Sequence, residues 1–151
     1  SNDNHAEQEL VQLQELRGIA ALARASRVIG HQEERIIQNA TEMPSRPVRD
    51  IMVGVDDITT LEVTGSLAEH LKRAHLDMHT RFPVVSSKEN PQSIIGYVNM
   101  KDIMSALHLN PQKASVLSIL RPLTSFQELL PVATCLEQMM REHTHIALVR
   151  N

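Results

Sequence analysis

Up to about residue 40 the apolar positions follow a helical period: Leu10, Leu13, Leu16, Ile19, Ala20 and Ala23 recur at three- and four-residue intervals among Glu, Gln and Arg. This spacing predicts an amphipathic helix. Gly30 interrupts the pattern, and the acidic pair Glu33-Glu34 opens a second, shorter helix through Ile36, Ile37 and Ala40. Pro44 and Pro47, with Ser45 between them, stop that helix, so residues 1–46 read as a helical lead-in.

From Val48 the pattern becomes short strands alternating with helices. "DIMV" (50–53) and "ITTLEV" (58–63) are expected strands. Ser66 and Glu69 have the spacing of a capping box at the head of a helix that places Leu67, Leu71, Ala74 or His75, and Met78 on one face and ends near His79. "RFPVV" (81–85) follows as a strand with its proline near the entrance, "SSKENPQS" (86–93) as a polar turn, "IIGYV" (94–98) as the returning strand and "KDIMSAL" (101–107) as a closing helix.

The pattern then begins again. "SILRPL" (118–123) resembles "DIMVGV" (50–55), and "VATCLEQMMREHTHIALV" (132–149) runs beside "SLAEHLKRAHLDMHTRFPVV" (66–85). This comparison sets Leu136 opposite Leu71, His143-Thr144 opposite His79-Thr80, and "IALV" opposite "FPVV". A period of about 65 residues is longer than a solenoid repeat and points to two copies of a small α/β unit packed as a pseudo-symmetric pair, since one copy is too small to hold a core alone. The expected fold is α/β in the α+β sense. Each repeat is a small three-stranded sheet with two helices, over 47–110 and 111–151, and the second is truncated because Asn151 precedes any equivalent of "IIGYVNMKDIM".

Composition narrows the function classes. The hydrophobic share of 42% fills a core in a chain of 151 residues. A net charge of −3 and an aromatic share of 2% leave little to hold phosphodiesters or stack bases, so no nucleic-acid partner is expected. The single cysteine, Cys135, excludes an internal disulfide and an all-thiolate zinc site, and fits a reducing compartment. No apolar run has the length of a membrane span and no signal peptide is visible, while the Ser1-Asn2 opening suggests a piece trimmed from a longer chain.

The most informative stretch is "IIGYVNMKDIM" (94–104). A helix beginning near Asn99 offers unpaired amides and a partial positive charge to a phosphate, Gly96 has no side chain to block a ligand, and Asp102 is an ionised acceptor suited to the two hydroxyls of a ribose. The same Asn and Asp are also ordinary helix-start residues that stabilise a helix with no ligand present.

The ordered set "VRDIM" (48–52), "TRFPVV" (80–85), "IIGYVNMKDIM" (94–104), "SILRPL" (118–123) and "EHTHIALV" (142–149) resembles tandem CBS domains, a Bateman module. In detail it is similar to the CorC or hemolysin-like branch associated with magnesium and cobalt efflux. "EERIIQN" (33–39) is similar to the linker that follows a membrane domain in that branch. The resemblance implies a regulatory module that binds AMP, ADP or ATP, with or without Mg²⁺. It also implies a homodimer, and a place on the cytoplasmic face of the membrane, where the module couples occupancy to the transporter domain of the parent chain.

Carried onto this sequence, the family pattern assigns the nucleoside sugar and phosphate to Gly96, Asn99 and Asp102. It assigns adenine to Met52 and Val53, to the backbone beside Ile58, and to Pro83 and Val84. The chain departs from the branch at Met52-Val53-Gly54-Val55, where Met-Thr-Pro-Arg is usual, so a hydroxyl and a cation are missing there.

Other groups carry less. His75 and His79 have a metal-holding spacing on a helix, and His143 and His145 recur in the second copy, but no third and fourth ligand is identifiable. Helix-end and interface histidines are the alternative. The seven methionines, Met139-Met140 among them, read as core filling or as an adaptable interface. Arg81 and Lys101 are placed either to screen a phosphate or to solvate the surface. No nucleophile, base and oxyanion donor come together, so an enzyme is not expected. The expectation is a nucleotide-binding sensor, and the alternative is a structural dimerisation module of the same kind of membrane protein.

Overall fold

The computed structural model describes residues 2–151; Ser1, the first residue of the Ser1-Asn2 opening, lies outside the described residues. Among the described residues the α-helices are α1 (Asn2–Ala25), α2 (His31–Glu42), α3 (Leu67–Asp77), α4 (Met100–Leu109), α5 (Val116–Ile119) and α6 (Val132–Glu142). The strands among them are β1 (Leu61–Glu62), β2 (Arg81–Val85), β3 (Ile94–Asn99), β4 (Thr124–Gln127) and β5 (Ala147–Arg150). The chain divides into two compact units, one of residues up to Asp50 with 127–144 and 151, the other of residues 51–126 with 145–150.

In the first unit, α1 and α2 meet along a narrow seam centred on Ala20. Arg17 spans the seam, donating from Nε to Thr41 Oγ1 at 2.9 Å and pairing with Glu42 at 3.2 Å. The face read from Leu10, Leu16 and Ile19 is solvent-facing over much of its area, and Leu13, Arg17 and Ala23 are only half-buried. Below the helices, Val48 N–H donates to the Leu130 carbonyl at 2.8 Å and Val132 N–H to the Arg46 carbonyl at 2.9 Å, which ties "RPV" to the start of α6. Cys135 is buried on α6, and burial pushes its thiol up.

The second unit holds the main core. Its sheet has the order β1-β2-β3, with β1 parallel to β2 and β2 antiparallel to β3. Alternation along the strands points Phe82, Val84 and Val98 inward, where Leu61, Leu67 and Ala74, with Ile103 from α4 and Val116 from α5, close over them. Pro83 is tolerated in the central strand because β1 is so short. It pairs with Val84 and Val85 only, and β2 behaves as an edge at Pro83. His70 is also buried, its Nε2 2.8 Å from the Glu62 carbonyl oxygen, and a side chain at Gly65 would collide with its ring.

Several local expectations are corrected. "DIMV" is not a strand: a 3-10 turn over Val48–Asp50 runs into irregular chain with Ile51, Met52 and Val53 exposed. Of "ITTLEV" only Leu61–Glu62 is extended in a ladder. "SILRPL" and "DIMVGV" do share a form, since the first opens on the last two residues of α5 and the second on the last residue of the 3-10 turn, and both then leave helical geometry. Ser66 stands at the N-cap of α3 without a side-chain bond, whereas Ser115 and Ser118 form a reciprocal capping box on α5. Met78 leaves the buried face because it adopts φ 56° at the end of α3, turning outward while His70 joins Leu67 and Ala74.

The repeat itself is visible in the elements. Both α3 and α6 have 11 residues, and the residues just past them, Met78 and His143, are both left-handed. The offset is 65 residues at each end, which sets His143 opposite Met78 rather than opposite His79. The second copy contributes β4 and β5, a two-stranded sheet.

Candidate functional site

β3 and α4 meet at Asn99-Met100, and the junction forms the floor of a cleft of about 650 Å³. Ligand sites are commonly of this size. Thr80 and Arg81 enter from the start of β2, Met104 and Ser105 from the next turn of α4, and Arg121 from the segment after α5. Three cations, Arg81, Lys101 and Arg121, share the lining with one carboxylate, Asp102.

The helix start is open in the way a phosphate needs. Asn99 has extended N-cap geometry, φ −90° and ψ 140°, but its side chain makes no cap bond. Met100 N–H is taken by the Thr80 carbonyl at 2.9 Å, which anchors α4 to the end of the β2 approach and leaves the following turn to face the cleft. Of the two readings of Asn99, a cap bond is the one this geometry lacks.

Asp102 is not free. Arg121 donates from Nε to Asp102 Oδ2 at 2.9 Å, and its terminal nitrogen lies 2.8 Å from the same oxygen. This hydrogen bond and the adjacent negative charge raise the guanidinium above its ordinary value. Arg81 and Lys101 make no ion pair among the described residues, so the cleft keeps an excess of positive charge.

The sequence-derived site residues are spread over this unit. Asn99 and Asp102 line the cleft together. Gly96 is buried in β3, paired with Val84, and the space left by its missing side chain is filled by the chain itself: a Cβ there would stand 2.5 Å from the Arg121 carbonyl oxygen. Val84 is wholly buried in the core and Pro83 half-buried beside it. Met52 and Val53 lie exposed on the irregular chain after the 3-10 turn, and Ile58 is half-buried before β1. None of these six is in the lining of the cleft.

The residue that sequence reasoning missed is Arg121. Its signal was an arginine beside Pro122 in a segment read only as a repeat motif. Its backbone exchanges two hydrogen bonds with Tyr97, N–H to carbonyl at 2.8 and 3.0 Å, and this bridge delivers the guanidinium to α4. His79, considered above as a metal ligand, stands edge-on to Phe82 with centroids 6.2 Å apart. Among the described residues no helix is long and apolar enough to cross a membrane.

No family model matches the chain. Among curated proteins it is 29% identical over 142 residues to the UPF0053 protein YugS of Bacillus subtilis, covering 94% of this chain and 32% of that protein. To the magnesium and cobalt efflux protein CorC of Buchnera aphidicola it is 26% identical over 136 residues, covering 90% of this chain and 48% of that one. The chain thus spans between about a third and a half of the length of these relatives.

Among solved structures, the CBS domain of the bacterial CNNM/CorC family Mg²⁺ transporter superposes with a TM-score of 0.74 at 28% identity, covering 90% of this chain and 82% of that one. The same domain in complex with ATP gives 0.68 at 27%, covering 78% and 82%. The chain has the fold of a CBS-domain protein. Its relatives are the CorC and hemolysin-like proteins and the CBS domains of the CNNM/CorC family.

Proposed function

We propose that this chain is the regulatory CBS module of a divalent-cation efflux protein of the CorC kind, and that it binds an adenine nucleotide in the cleft at the head of α4. The observation that carries the reading is the joining, in one cleft, of an uncapped helix start, three cations and a carboxylate. Cations and helix amides suit the phosphates, and Asp102 suits the ribose. A CBS domain of the related transporter family in complex with ATP supports the choice of ligand. Asp102 is the one carboxylate in the lining, so any Mg²⁺ would be carried by the phosphates of ATP or ADP; AMP would bind without it.

In this reading the module lies on the cytoplasmic face, acts as a homodimer, and passes occupancy to the membrane domain of its parent through α1 and α2. Leu136 and Met140, both exposed and one turn apart on α6, offer apolar surface for the second copy. Regulation requires that nucleotide bind one arrangement of the dimer better than another, because equal affinity for both shifts nothing.

Thermal unfolding in the presence of nucleotide tests this. At a ligand concentration a hundredfold above Kd, binding adds about 2.7 kcal/mol to stability. For a chain of this size that is a rise in Tm of about 5–10 °C. AMP, ADP or ATP is expected to raise Tm, and inorganic phosphate at the same concentration is not. No rise with any of the three would leave the structural dimerisation module as the better reading.

A further inference from the structure

We infer that Arg121 is a latch on the cleft: with no ligand present it occupies Asp102, and it must pass to the phosphate when a nucleotide enters, so that the cleft selects nucleotides over nucleosides. This deepens the nucleotide reading above and rests on it. Both guanidinium contacts fall on one oxygen, Asp102 Oδ2, at 2.9 and 2.8 Å. With the Nε hydrogen bond and the terminal nitrogen both on it, this oxygen is engaged before any ligand arrives. A ribose diol donates to both oxygens of a carboxylate, so Asp102 cannot receive it fully while Arg121 stays in place.

The exchange depends on the phosphate. A nucleoside that displaced Arg121 from Asp102 would give neutral hydroxyls to the carboxylate and no anion to the guanidinium, leaving a cation without a partner beside Arg81 and Lys101. A nucleotide supplies both partners at once: hydroxyls to Asp102, and to Arg121 a phosphate that its planar fork grips with two parallel bonds. In the present pair, by contrast, Nε and the terminal nitrogen both approach the single oxygen Oδ2.

The geometry lets the side chain move alone. The backbone of Arg121 is pinned to Tyr97 by hydrogen bonds in both directions, at 2.8 and 3.0 Å, whereas its side chain is 50% exposed. Rotation about the side-chain bonds carries the guanidinium across the cleft without disturbing β3. For the same reason a substitution at this side chain leaves the backbone bridge intact.

The test compares adenosine and AMP as calorimetric ligands for the chain and for Arg121→Gln, with Arg121→Lys as a second variant and circular dichroism to establish folding. Arg121→Gln is expected to weaken AMP about tenfold or more while leaving adenosine unchanged or slightly tighter, so the preference for the phosphate collapses. Arg121→Lys, which keeps the charge and loses the fork, is expected to fall between. Equal loss for both ligands would overturn the latch and make Arg121 a merely structural residue, as would an unchanged AMP affinity. Binding of none of adenosine, AMP, ADP and ATP to the unaltered chain would overturn the nucleotide reading itself, and the latch with it.

Discussion

Phe82→Ala is expected to destabilise the sheet-bearing unit by about 3–5 kcal/mol, the cost of emptying a large aromatic site in a core that cannot collapse to fill it. Phe82 is wholly buried in β2, in a cluster with Leu61, Leu67, Ala74, Val84, Val98, Ile103 and Val116. These residues come from three strands and three helices, so no single element can close the gap. Against a typical domain stability of about 5–15 kcal/mol, such a loss leaves little margin. Urea unfolding followed by circular dichroism should show a clearly lower midpoint. Phe82→Leu, which keeps most of the volume, should lose far less. An unchanged midpoint for the alanine variant would mean that this core does not hold the unit together.

Gly96→Val has the second largest expected effect, and it acts through backbone. Even a methyl group at Gly96 would stand 2.5 Å from the Arg121 carbonyl oxygen and 2.9 Å from a Leu120 methyl. A main-chain oxygen bound to Tyr97 cannot swing away as a side-chain tip can, so β3 and the Leu120-Arg121 segment must separate. Overpacking of this kind costs about 1–3 kcal/mol, and here two backbone hydrogen bonds go with it. The chain has one tyrosine and no tryptophan, so its intrinsic fluorescence reports the residue in the bridge, Tyr97. A change in that emission together with a lowered urea midpoint is the expected outcome. Emission and midpoint both equal to those of the unaltered chain would show that the close approach does not matter to the fold.

The elements legible in the sequence were those whose periodicity also reports burial. α3, β2, β3 and α4 alternate or recur in step with a real inside, and the repeat offset follows from the matching lengths of α3 and α6. "DIMV" misled because an apolar run has no strand without a ladder partner. Its Ile51, Met52 and Val53 are about half exposed or more, at 49%, 48% and 65%.

The candidate site was legible only in its local half. Asn99 and Asp102 sit at a helix start that the sequence marks directly, whereas Arg121 reaches Asp102 from 19 residues away, and local pattern carries no such contact. The role of Gly96 was hidden for the same reason. Glycine in a strand marks a close approach, but whether a ligand or another stretch of chain approaches is decided by the tertiary fold.

The measurement that tests the account most directly is calorimetric titration of AMP, ADP and ATP, with and without Mg²⁺, into the chain and its Asp102→Asn variant. The substitution keeps the size of the side chain and removes its charge. Hydrogen bonds from hydroxyls to an ionised carboxylate contribute about 1.5–3 kcal/mol each, more than is recovered by abolishing a half-exposed ion pair, so Kd should rise about tenfold or more. Saturable binding by the unaltered chain that the variant largely loses is the predicted result. Equal binding by both chains would take the nucleotide away from Asp102 and the head of α4, and would contradict the account.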